Sequence, residues 1–299
     1  MFQQTLKREY TFEGKGLHTG AFSKITVGPA PENTGIKFRK VREGVVIDAL
    51  ADRVTSTSRC TTVESEGQSI LTVEHILSAL TGMGVDNAYI DVDGGEIPIL
   101  DGSARPYVEA FGADGTVSQS AERRYLTVPR TIEVRDEKSG SLVRIEPADT
   151  LSYEITVDFG SKVLGVQTAC WDESMDYAGE IACCRTFVFF HEIEYLMANN
   201  LIKGGDVDNA IVIVEHPVSQ EQLDRMSAAI GRKGLTVENG YLSNLKLHFP
   251  NECGRHKLLD IIGDLRLCGG FLRAKITAYK PGHGINTAAA KEFLKSLAE

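Results

Sequence analysis

Arg255-His256-Lys257-Leu258-Leu259-Asp260-Ile261-Ile262-Gly263-Asp264-Leu265 reads as one helix with two different faces. Leu258, Ile261, Ile262, Leu265 and Cys268 recur at helical spacing and form an apolar stripe that should pack on a sheet. Beside it, His256, Asp260 and Asp264 follow at intervals of four, which stacks an imidazole and two carboxylates on one face. An imidazole and a carboxylate one turn apart can point at a single cation, and such an N/O pair suits zinc or ferrous iron. The same spacing is also an ordinary surface pair, so a metal reading requires a third ligand, a base and shelter from water.

A similar arrangement stands earlier in the chain. Leu71 to Gly82 predicts a helix with Thr72 as its N-cap, Glu74 in its first turn and Gly82 at its end. A strand at Asn87–Val92 follows, and after Pro98–Ser103 a helix from Ala104 to Phe111. Behind His256 come a strand at Arg273–Tyr279, the turn Pro281-Gly282-His283-Gly284 and a closing helix to Leu297. His75 to Gly102 and His256 to His283 are both 27 residues apart. The echo predicts two related α/β layers formed by duplication. Packed face to face, they would bring His75 to His256 and Asp260.

With 299 residues, 42% hydrophobic and 24% charged, the chain has ample material for a core and room for two domains. Its 41 acidic and 32 basic residues leave a net charge of −9, which argues against a nucleic-acid partner. No apolar run reaches the roughly 18 to 20 residues of a membrane span, and the first ten residues lack a signal-peptide core. Six scattered cysteines without a C-x-x-C pair suit reduced thiols and a cytoplasmic protein. A monomer is the default expectation.

From Thr5 to about Val63, alternating apolar and polar residues between turn signals predict strands and hairpins. Gly14 to Gly20 is glycine-rich but lacks phosphate-loop spacing and reads as a tight turn. The small, polar stretch 112–124 predicts a linker, dividing the chain into domains 1–124 and 125–299. Strands are expected at Tyr125–Val128, Ser141–Ile145, Leu151–Val157 and Ala210–Val214, and a helix at Glu192–Asn200.

A catalytic zinc needs about three protein ligands, an open position, a general base and a group to hold developing oxyanion charge. His75, His256 and Asp260 supply a two-histidine, one-carboxylate set. Glu74 could take a proton from an activated water, and His283 could be a cationic acid or electrostatic clamp. Asp264 could orient that imidazole.

Six blocks carry a resemblance. Thr72-Val73-Glu74-His75, the His256–Asp264 helix and Lys280-Pro281-Gly282-His283 are similar to the UDP-3-O-acyl-N-acetylglucosamine deacetylase family. So are Phe12–Gly20, Glu96–Ser103 and Cys184-Arg185-Thr186-Phe187, and the likeness runs in order along essentially the whole chain. It implies an α+β fold of two similar two-layer α/β sandwich domains, duplicated and ribosomal protein S5 domain 2-like, with the active site at their interface. It also implies a zinc amidase of lipid A synthesis that deacetylates UDP-3-O-(3-hydroxyacyl)-N-acetylglucosamine, holding one Zn2+ per chain, with Fe2+ an alternative.

By the same resemblance, His75, His256 and Asp260 are the ligands, Glu74 the base, and His283 the acid held by Asp264. Thr186 corresponds to a hydroxyl on the tetrahedral oxygen, and Lys257 and Phe187 to substrate contacts. Glu192 corresponds to an acidic residue near the nucleotide. The stretch 187–214 corresponds to an insert forming an apolar passage for the acyl chain, with Ile193, Gly205, Ala210 and Val212 as wall candidates. Gly254 departs from the usual pattern and is expected to loosen the first turn of the zinc helix. His191, His216 and His248 are expected to be structural or solvated, and His18 has no assigned chemistry. The competing readings are a zinc amidase for another N-acetylated sugar and a binding module without turnover. Intact Glu74, Thr186 and His283 weigh against the second.

Overall fold

The structure, a computed structural model, describes residues 1–193, 209–229 and 233–297. It is a mixed α/β fold whose two largest sheets share one topology. In the first, the strand order is Tyr10–Lys15, Phe22–Pro29, Ala88–Asp93, Ile36–Lys40, Val45–Asp48. In the second it is Ile132–Asp136, Ser141–Pro147, Leu272–Tyr279, Ser152–Asp158, Val166–Asp172, with Leu126–Thr127 attached to the central strand. In both, the strand last in sequence lies in the middle, antiparallel to one neighbour and parallel to the other. These strands alternate as a half-buried sheet requires: Ile25, Val27, Phe38, Ile90, Ile145, Ile155 and Ile276 are wholly buried while their neighbours are more exposed.

Among the described residues, the α-helices labelled here, in chain order, are α1 (Glu74–Gly82), α2 (Arg105–Asp114), α3 (Tyr177–Glu180), α4 (Gln220–Ala229), α5 (Glu252–Arg266) and α6 (His283–Ser296). α1 and α5 each follow the last-but-one strand of their sheet and precede the central one. Leu258, Ile261, Ile262, Leu265 and Cys268 are all buried, as the stripe predicts, and Leu259 of α5 is buried with them. They share one continuous core with Ile76, Leu77 and Leu80 of α1. Gly263 sets how near the two helices come. A Cβ built there would lie 2.0 Å from the carbonyl oxygen of Glu74, so the backbones meet where one side chain is missing. The helix ends at Arg266 with Leu267 as its C-cap, and the chain then turns away through Gly269, whose φ of 89° is the left-handed conformation that glycine adopts freely.

Each half carries a smaller sheet before its central helix. Val54–Ser56, Thr62–Ser65 and Gln68–Ile70 form a three-stranded sheet before α1. Phe187–Phe189, Ile211–Ile213, Tyr241–Leu242 and Val237–Glu238 form a four-stranded one before α5. The latter, with α4, builds its own apolar cluster around Phe190, Ile193, Val212, Met226 and Leu242.

Several local expectations differ from the structure. The stretch read as a linker contains a strand, Thr116–Glu122, paired antiparallel with Phe2–Leu6. Small polar residues suit such an edge as well as they suit a loop. Thr72 does not cap α1: it sits at φ 62° and its hydroxyl donates to Glu96 Oε1 (2.9 Å). A β-branched residue in that conformation costs about 1–3 kcal/mol, offset by the contacts that hold it. Gly254 does not loosen α5. It is buried inside the helix, its amide donates to Gln167 Oε1 (2.8 Å), and a Cβ there would press on Gln167 at 3.0 Å. Phe190–Ile193 are helical, so the helix expected at Glu192–Asn200 starts two residues earlier, and the rest of that stretch lies outside the described residues. His191 and His216 are exposed, while His248 holds the Cys183 carbonyl through Nδ1 (3.0 Å).

Candidate functional site

α1 and α5 bring three ligand-type side chains together. The nitrogen and oxygen ligand atoms of His75, His256 and Asp260 all lie within 4.8 Å of one another, and all three residues are buried. Asp260 Oδ1 is 3.7 Å from His75 Nε2 and 3.5 Å from His256 Nε2. Among the described residues that oxygen has no hydrogen-bond partner, a costly state for a buried carboxylate unless a cation completes it. His256 Nδ1 faces the Cys184 carbonyl at 3.0 Å, which leaves Nε2 free to ligate. Burial pushes the pKa of His256 down to about 4, so the ring is neutral at pH 7 and its lone pair available. Burial opposes charge on Asp260, yet Lys257 and His256 outweigh it and hold the carboxyl well below its ordinary range. Lys257 Nζ donates to Asp260 Oδ2 at 2.8 Å. These donors fit a borderline divalent ion such as zinc or ferrous iron.

Glu74 and His283 flank this cluster. Glu74 is buried at the first residue of α1, and burial raises its pKa against the pull of His283 and His75. His283 opens α6 with Nε2 3.8 Å from Glu74 Oε1. Its Nδ1 contacts Asp264 Oδ2 at 3.0 Å. Burial disfavours the imidazolium, but Asp264 and Glu74 overcome that and raise its pKa to about 9. The site therefore pairs a buried carboxylate with a cationic imidazole across the cluster.

A cavity of about 570 Å³ opens on these groups. Thr186, Phe187, Glu192, Ile193, Ala210 and Val212 line it, as do the ligand set and Lys257. Thr186 is held at both ends: its amide donates to the Gly102 carbonyl, and its carbonyl accepts from Ile211, each at 2.8 Å. The Phe187 ring lies 5.5 Å from Lys257 Nζ and edge-on to His256. Glu192 Oε2 accepts from the Phe189 amide (3.1 Å). Asp264 supports His283 from behind, and Gly205 lies outside the described residues.

The model of the family described as UDP-3-O-acyl N-acetylglycosamine deacetylase matches residues 3–235 and 232–295. The chain belongs to that family. It is 45% identical over 298 residues to the bifunctional enzyme LpxC/FabZ of Porphyromonas gingivalis, covering 99% of this chain and 64% of that protein. It is 40% identical to the UDP-3-O-acyl-N-acetylglucosamine deacetylase of Methylococcus capsulatus, covering 98% of this chain and 90% of that one. The chain thus spans less than two thirds of the bifunctional relatives and nearly all of the monofunctional one. No helix among the described residues is long and apolar enough to cross a membrane.

Sequence reasoning missed part of the cavity. Met226 and Leu242 line its apolar end from α4 and a two-residue strand, elements too short or too polar to stand out. His18 lines the other side, held through its amide by Glu96 (3.0 Å), with Nε2 buried and unpartnered among the described residues. Thr61, between two carboxylates, carried no pattern signal at all.

Proposed function

We propose that this chain hydrolyses the acetamide of UDP-3-O-(3-hydroxyacyl)-N-acetylglucosamine, giving acetate and the free amine, a step of lipid A synthesis. The observation that carries it is the orphaned Asp260 Oδ1 between two imidazoles, with a buried Glu74 and a cationic His283 beside it. His75, His256 and Asp260 would hold one Zn2+, or Fe2+, per chain. That ion, when bound, supplies Lewis-acid polarisation and lowers the pKa of a water. Glu74 accepts the proton of the attacking water, its raised pKa suiting a base that must later release it. Thr186, fixed through its backbone, presents its hydroxyl to the developing oxyanion. His283, protonated and pinned by Asp264, delivers a proton to the departing amine nitrogen. Lys257 neutralises charge beside Asp260 and, with Phe187, faces the substrate. Glu192 stands toward the nucleotide, and Ile193, Gly205, Ala210 and Val212 wall the acyl chain.

The shared strand order supports two duplicated sandwich domains of the ribosomal protein S5 domain 2-like kind, 1–124 and 125–299, with an insert at about 187–214. Ligands drawn from both central helices support a site at their interface. The proposed setting is a cytoplasmic monomer, for which free cysteines and the net charge of −9 are consistent, with no nucleic acid as partner.

The test is metal analysis coupled to acetate release from UDP-N-acetylglucosamine with and without a 3-O-hydroxyacyl chain, before and after chelation. One metal per chain with chelator-sensitive, acyl-dependent release is expected. Release independent of the acyl chain would make it an amidase of another sugar, and no metal with no turnover would refute the reading.

A further inference from the structure

Thr61 is wholly buried, just before the strand Thr62–Ser65, at the point where the two halves of the site meet. Its amide donates to Glu74 Oε2 at 3.0 Å, and its hydroxyl donates to Asp264 Oδ1 at 2.6 Å. The other oxygen of Asp264 accepts from His283 Nδ1 (3.0 Å) and from Asn286 Nδ2 (2.9 Å). One residue thus touches both the carboxylate proposed as base and the carboxylate that holds the proposed acid. Neither group is a ligand, and neither contact follows from the spacing of residues on α1 or α5.

We infer that Thr61 is a positioning residue for the proposed deacetylation, its amide fixing Glu74 and its hydroxyl fixing the Asp264–His283 pair. The inference rests on the deacetylase reading for its catalytic meaning, and on hydrogen-bond geometry for its structural content. A carboxylate turns easily about its last side-chain bond, where the rotamer wells are broad. Donors on both oxygens remove that freedom: Thr61 on one, His283 and Asn286 on the other. The plane of Asp264 then sets the direction of the imidazole, and Nε2 of His283 faces Glu74 across 3.8 Å. Because Thr61 grips both sides, a shift of one helix would carry base and acid together. Valine matches threonine in shape but takes away the hydroxyl, leaving Asp264 Oδ1 buried without a donor.

The experiment compares wild type, Thr61→Val, Thr61→Ser and Thr61→Ala as purified metal-loaded protein. It measures bound metal, kcat and KM on the 3-O-hydroxyacylated UDP-N-acetylglucosamine, and the downfield proton resonance of the His283 ring N–H bonded to Asp264. Thr61→Val should keep its metal and its KM, lose kcat by roughly 10- to 100-fold, and shift or broaden that resonance. Thr61→Ser, which restores the hydroxyl, should recover most of both. A purely structural role would lower thermal stability or metal content in step with activity and would leave the resonance in place. Wild-type kcat together with an unmoved resonance in Thr61→Val would overturn the inference. If the valine variant fails to fold, equal kcat in the serine and alanine variants would overturn it instead. Absence of turnover in wild type would refute the deacetylase reading, and the resonance would then decide separately whether Thr61 sets the Asp264–His283 pair.

Discussion

The two large sheets have the same strand order, yet the helices that precede their central strands, α1 and α5, do different work. α1 has 9 residues, is buried from Glu74 to Thr81, and contributes one metal-ligand candidate beside a carboxylate. α5 has 15 residues and contributes His256, Asp260 and Asp264 one turn apart, with Lys257 between them. The small sheets ahead of each helix differ as well. The first places Thr61 against both carboxylates, and the second carries Phe187, Ala210 and Val212 to the cavity wall. A common frame thus fixes where side chains emerge, while unlike insertions at the same topological place decide what surrounds them.

That division of labour can be broken first at the chemistry. Glu74→Gln should retain the metal and lose about 10²- to 10⁴-fold in turnover, whereas Asp260→Ala should lose both. Metal analysis beside acetate release would check this, and loss of metal from Glu74→Gln would make α1 a two-ligand helix. The next largest effect belongs to the start of α5. Glu252 is wholly buried and Arg185 donates to it at 2.9 Å, while the amides of Arg185 and His248 also bind it. Arg185→Met would strand that carboxylate and should cost about 3–5 kcal/mol in urea unfolding, with Arg185→Met/Glu252→Gln recovering part of it. Burial opposes charge on Glu252, but Arg185 and the amides win and depress its pKa. Its contribution is therefore present above the ordinary carboxyl value and lost as pH falls through the depressed one.

Gly263→Ala probes the crossing of the two helices. The new methyl would meet the Glu74 carbonyl, so a loss of about 1–3 kcal/mol in thermal unfolding is expected, together with reduced turnover at full metal content. Wild-type stability would mean the helices can part without cost. A gentler probe is pH. The pKa of His283 is raised from 6.5 to about 9, so its stabilising charge is complete below 6.5 and disappears as pH rises through about 9. Turnover should fall along the same alkaline limb, and His283→Gln should remove that limb from the rate profile. The smallest effect is expected at the cavity wall, where Val212→Phe should shift the preferred acyl chain to a shorter one, read from kcat/KM across a chain-length series.

Much of the site was legible because helical spacing is a geometric rule. Intervals of four placed His256, Asp260 and Asp264 on one face, and the repeated 27-residue interval paired His75 with His256. The repeated order of helix, strand, turn and helix corresponds to the repeated sheet topology. What escaped depends on contacts rather than periods. Thr61 matters through bonds to residues 13 and 203 positions away. Thr72 looked like a cap because threonine commonly is one, but a bond to Glu96 claimed its hydroxyl. Thr116–Glu122 looked like a linker because nothing in its composition reveals the partner strand at Phe2–Leu6.

At the crossing of α1 and α5, what stands between one helix and the other is hydrogen against a carbonyl oxygen. The gap from Glu74 to the ligand-bearing helix is thereby a matter of main-chain covalent dimensions. Drift in the surrounding core can change which side chains fill space without stretching that gap. The molecule keeps its reactive spacing as a gauge block keeps its length, and position 263 is where that gauge would be spoiled.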